Sequence, residues 1–170
     1  TDTTERVLAV GATLATDPSP AVRRAVSLAL RDVPWAWSRD LLLALAQGYD
    51  GVDRAYLEAW GIGATGKEKE LYATLQRSAP GSEAAMWPAR YAHLIWRLTP
   101  AGAEKDLGAR ARAAALSERE RLAAVTALGF IPTQASADAL IAVARQSDGM
   151  VKANAVWWLL NYKDGPWASF

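Results

Sequence analysis

Apolar residues recur along this chain at the spacing of one helix face. Val22, Ala25, Val26, Ala29 and Leu30 stand at i, i+3, i+4, i+7 and i+8, the stripe of an amphipathic helix rather than the alternation of a strand. The stripe returns as Val52, Ala55, Tyr56, Ala59 and Trp60, then as Pro88, Tyr91, Ala92, Ile95 and Trp96. A fourth copy, Glu120, Ala123, Ala124, Ala127 and Leu128, departs at its first position, and a fifth runs through Val151, Asn154, Ala155, Trp158 and Leu159. The steps are about 30, 36, 32 and 31 residues, the range of helical repeats. Second helical patterns lie between the copies: Leu41, Leu42, Leu45 and Ala46; Leu71, Tyr72 and Leu75; Leu107, Ala111, Ala114 and Ala115; Leu140, Ile141 and Ala144. Val7, Leu8, Ala12 and Leu14 read as the second helix of a truncated first repeat.

Boundary residues agree with these pairs. Ser117 with Glu120 and Thr65 with Glu68 have capping-box spacing, Pro20 and Pro88 suit helix starts, and Gly48 suits a helix end. No segment reads as a strand. A lone pair cannot hide its apolar stripe, so successive pairs stack. The expected fold is all-α: a right-handed α-solenoid of about five helix pairs, spanning residues 1–170 as one repeat domain and reading as a segment of a larger multidomain protein.

At DPSPAVRRA, residues 17–25, the sequence resembles HEAT and HEAT-like repeats, with a weaker echo at Asp148, Val151 and Lys152. The wider pattern, from ATDPSPAVRRAVSLALRDVP through GYDGVDRAYLEAWGIGATGKE to ALGFIP and AVWWLLN, is similar to the HEAT-repeat region of large bacterial planctomycete-type haem-binding proteins, a group described as membrane-bound or sugar dehydrogenases. The resemblance implies a parent with an N-terminal β-propeller and a C-terminal c-type cytochrome domain, and a periplasmic or secreted location. Neither a propeller nor C-x-x-C-H is present here, so no catalytic or haem-ligand residue carries over.

Composition narrows the chemistry. The 170 residues carry 19 basic and 18 acidic side chains, a formal charge of +1, which offers no global attraction for nucleic acid. There is no cysteine and a single histidine, His93, so thiolate metal sites and covalent haem are excluded and no cofactor is expected. No apolar run approaches the ~20 residues of a membrane span, and membrane insertion is not expected.

The stretch GIGATGKEKE, residues 61–70, fits G-x-G-x-x-G and nearly completes G-x-x-x-x-G-K-[ST]. A phosphate cradle needs a strand before its glycines, whereas VDRAYLEAW has helical period. Glu68 also replaces the hydroxyl that would hold magnesium. The expectation is a turn closing one helix and opening the next, with Thr65 as cap. His93, between Ala92 and Ile95, reads as structural, and Asp50 and Asp53 as helix caps.

Eight tryptophans are present, and Trp60, Trp96 and Trp158 fall on the stripes. Trp35 and Trp37 differ, because PWAW reads as a proline turn between helices. With Tyr49 and Trp167, and with the basic neighbours Arg31 and Arg39, they form the expected partner-facing surface. The leading functional expectation is a noncatalytic scaffold that docks another protein or neighbouring domains of the same chain, as in a larger redox protein. No catalytic, metal or small-molecule site is assigned. The alternative is an enzyme or ligand-binding domain on HEAT-like repeats, in the manner of bilin lyases or alkylpurine DNA glycosylases.

Overall fold

The structure, a computed structural model, describes residues 2–169, with side chains from residue 6 onward. The protein is all-helical, and no strand occurs among the described residues. The order is α1 (Asp2–Ala15), α2 (Pro20–Ala29), α3 (Trp35–Gln47), α4 (Arg54–Gly63), α5 (Glu68–Arg77), a 3-10 turn (Ala84–Met86), α6 (Ala89–Leu98), α7 (Glu104–Arg112), α8 (Glu118–Gly129), α9 (Gln134–Gln146) and α10 (Gly149–Tyr162). The five stripes fall on α2, α4, α6, α8 and α10. No helix among the described residues is long and apolar enough to cross a membrane.

Contacts divide the chain into two compact units. The first runs to Ser78 and takes in Ala89–Leu98; the second comprises Ala79–Pro88 and the chain from Thr99. In the first unit α2, α4 and α6 pack side by side as one layer, and α1, α3 and α5 as another. Tyr56 and Trp60 of α4, both essentially inaccessible, join the layers. The Tyr56 hydroxyl donates to the Leu45 carbonyl at 2.7 Å and Trp60 Nε1 to the Leu42 carbonyl at 2.9 Å. Each ring thereby hides its apolar body and satisfies its polar edge. In the second unit α8 packs with α10, α7 with α9, and each layer on the other. Arg110 of α7 is buried, donates to the Ala84 carbonyl at 2.6 Å and holds the 3-10 turn in place.

Several caps form as the sequence implies. Ser117 and Glu120 make a reciprocal capping box on α8, Pro20 opens α2, and Asp53 caps α4 by accepting from the Tyr56 N–H. Asp50, also expected as a cap, instead closes the turn before α4 by accepting from the backbone N–H groups of Val52 and Asp53. Other expectations fail locally. Thr65 caps nothing, because α5 begins after Lys67 and Glu68 accepts instead from the Gly66 N–H. Ala114 and Ala115 lie beyond α7, whose C-cap Ala113 has turned to extended backbone. The first stripe position is also unreliable: Val52 sits before α4, in the turn held by Asp50, and is 84% exposed.

Gly129, the last residue of α8, allows the Trp158 ring of α10 to lie flush against the backbone; a Cβ there would collide with the ring. Gly129→Ala is expected to cost about 2 kcal/mol, the overpacking penalty less the gain from better helix propensity. Chemical denaturation checks this, and an unchanged midpoint would show that the ring can move aside.

Candidate functional site

The glycine stretch that resembles a phosphate loop is built into the first unit's packing. Gly61 and Gly63 lie inside α4. A Cβ on Gly61 would strike the guanidinium of Arg97, which crosses from α6 to reach Glu58 at 2.6 Å. One on Gly63 would strike the Ser27 carbonyl of α2. Gly66 has φ +75°, the left-handed backbone that suits glycine in a turn. Lys67, the residue at the phosphate-lysine position, is 6% exposed. Its ammonium donates to the carbonyls of Leu30 at 2.9 Å, Arg31 at 2.8 Å and Gly63 at 2.8 Å. All three N–H donors are thus directed at the C-terminal ends of α2 and α4, where the helix dipoles favour a cation. Burial pulls the Lys67 pKa below the ordinary lysine value, while Asp32 and Glu68 oppose the shift. This lysine is a structural clamp, with no donor left to aim at a phosphate.

His93 is half-buried. Its Nδ1 lies 3.2 Å from the Gly51 carbonyl and 3.5 Å from the Tyr49 hydroxyl, tying α6 to the loop before α4. Among the described residues no three His, Asp or Glu side chains gather in a way that could hold a metal ion.

The expected interaction residues separate into two groups. Tyr49 is 2% exposed, stacked on Tyr56 with ring centroids 5.9 Å apart, and its pKa is raised chiefly by burial. Trp167 is 4% exposed, packs beside Tyr162 and points Nε1 at the Ile131 carbonyl. Both therefore leave the proposed surface: each is a core aromatic whose polar edge finds a partner inside the fold. Trp37 is 53% exposed, Arg31 and Arg39 are exposed, and Trp35 is half-buried. PWAW is not a free turn. Pro34 is the N-cap of α3, and both tryptophans occupy its first turn.

Helix geometry then decides which of them share a face. Trp35 and Arg39 are four residues apart and neighbours; Trp37 lies on the side of Asp40 and Leu41. Arg39 is paired with Asp40 at 2.8 Å, which raises the Arg39 pKa and lowers that of Asp40. The exposed cluster is therefore one large aromatic beside an internally neutralised ion pair, with Arg31 at the preceding turn.

A second exposed surface escapes the repeat pattern. Ala153, Val156, Trp157 and Leu160 stand at i, i+3, i+4 and i+7 on α10 and are all exposed, Trp157 at 51% and Leu160 at 60%. They lie opposite the buried stripe of Val151, Ala155 and Trp158. Phe130, just past the end of α8, is edge-on to Trp158 on the inner side, with centroids 5.1 Å apart, as Trp157 also is. The signal was present in AVWWLLN, which makes α10 apolar on both sides, a pattern that calls for a further covering layer. Comparison with known proteins adds no constraint: no family model, curated protein or solved structure matches this chain.

Proposed function

We propose that this chain is a noncatalytic helical-repeat module that binds another protein or a neighbouring domain, with Trp37 as its anchor. The observation that carries this reading is a large aromatic, half uncovered, on the first turn of α3, the helix that also carries the exposed Arg39–Asp40 pair. Exposed Trp and Arg are the residue types enriched at interface hot spots. Balanced charge favours a protein partner over nucleic acid. A role in spacing the domains of a larger redox protein rests on the sequence resemblance.

A benzophenone amino acid placed at position 37 tests the proposal. It should trap a discrete polypeptide, and unlabelled wild-type protein should compete for that product at least ~10-fold better than Trp37→Ala. Equal competition by the two, or the same product from a probe at an exposed position on another helix, would overturn the assignment.

A further inference from the structure

We propose that the aromatic rings on and beyond α10 form a radical-transfer path, which collects one-electron oxidation from Trp157, Trp158 and Trp167 at the hydroxyl of Tyr162. The rings run in unbroken contact. Centroid to centroid, Trp157 lies 5.1 Å from Trp158, Trp158 lies 4.8 Å from Tyr162, and Tyr162 lies 5.5 Å from Trp167. These are the separations of packed aromatic pairs, so an electron passes from ring to ring with no other group between them. One end of the path opens to solvent, since Trp157 is half exposed whereas Trp158 and Trp167 are buried. An oxidising radical in solution therefore meets Trp157 first.

Proton outlets decide where the oxidation rests. The radical takes one electron from Trp157 and is reduced, and the oxidised indole releases its N–H proton to water. Tyr162 then gives an electron through Trp158 to Trp157, whose nitrogen regains a proton from water while the phenol releases its own. The net step converts indolyl radical and phenol into indole and phenoxyl radical, with electrons and protons balanced. It runs downhill because a phenol is the easier of the two to oxidise at neutral pH. Tyr162 is half-buried, and its hydroxyl meets no hydrogen-bond partner among the described residues without being enclosed, so its proton leaves to solvent. Trp167 lacks that outlet: its Nε1 faces the Ile131 carbonyl at 3.4 Å, an acceptor that shares the proton but does not carry it away. An electron vacancy at Trp167 thus also drains to Tyr162.

The arrangement protects the packing of the second unit. Trp158 lies flush on Gly129 and Trp167 is enclosed beside Tyr162, places in which an oxygenated indole no longer fits a close-packed interior. A phenoxyl radical at Tyr162 keeps the shape of the phenol, and one hydrogen atom from a soluble thiol repairs it, the thiol leaving as a thiyl radical. Trp37 of the first unit supplies the contrast: it is also half exposed, but it meets no other aromatic ring among the described residues.

Pulse radiolysis of the 170-residue chain in azide solution, where azidyl radicals oxidise indoles ahead of phenols, tests the path. The indolyl absorption should decay as the phenoxyl absorption grows, in a first-order step whose rate does not change with protein concentration. Tyr162→Phe keeps the ring and removes only the hydroxyl, so it should fold as the wild type does by circular dichroism and lose that growth phase. Trp158→Phe should slow the phase by interrupting the route from Trp157, and Trp37→Phe should leave it unchanged. Absence of the phase from the wild type, a rate proportional to protein concentration, or a wild-type rate in either Tyr162→Phe or Trp158→Phe would each overturn the proposal, as would loss of the phase in Trp37→Phe.

Discussion

Trp60→Ala is expected to cost about 4 kcal/mol of folding stability, whereas Trp37→Ala should change it by no more than ~0.5 kcal/mol. Both remove an indole from the first unit, and burial separates them. Trp60 has no exposed surface and is hydrogen-bonded to the Leu42 carbonyl, while half of Trp37 already faces water. Truncation at position 60 leaves a cavity between α4 and α3 and removes a donor from a buried carbonyl. Trp60→Phe refills most of the volume but not the N–H, and should recover about half the loss. Urea denaturation followed by far-ultraviolet circular dichroism measures all three. A Trp37→Ala protein as unstable as Trp60→Ala would place Trp37 in the core and remove the anchor from the proposed interaction surface.

The contrast between these tryptophans marks what the sequence could convey. The stripe ending in Trp60 predicts both its helix and its burial, because apolar spacing reports which face a helix turns inward. The same spacing misleads where a stripe begins before its helix: Val52 is held in the Asp50 turn and stands in water. Trp35 and Trp37 sit in a helix rather than a turn, because Pro34 starts α3 without entering it. Tyr49 and Trp167 lie outside the stripes and read as surface residues. Each is drawn inward by long-range contacts, Tyr49 to Tyr56 and His93, Trp167 to Tyr162 and Ile131. Local spacing carries no record of such pairings. The exposed face of α10 was legible in principle, since Ala153, Val156, Trp157 and Leu160 form a stripe of their own. A search for one stripe per helix passes over a second.

Lys67→Met is expected to destabilise the protein by about 3 kcal/mol. The methionine keeps the length and apolar stem of the lysine but withdraws a charged donor from the carbonyls of Leu30, Arg31 and Gly63. Two helix ends lose their cation together, and α5 loses its tie to α2. Lys67→Arg should not restore the loss, because a planar guanidinium cannot direct donors at three carbonyls converging on one point, as an ammonium does. Thr65→Ala should be nearly neutral, since that hydroxyl caps no helix. The substitution Glu68→Thr completes the G-x-x-x-x-G-K-[ST] spacing and gives a sharper check. If Lys67 is a clamp, this variant still shows no saturable heat with magnesium-ATP, because its ammonium remains held against the backbone and Gly61 and Gly63 remain inside α4. Saturable binding by the variant, lost again on adding Lys67→Met, would show that the lysine can leave its carbonyls and that the stretch is a phosphate site after all.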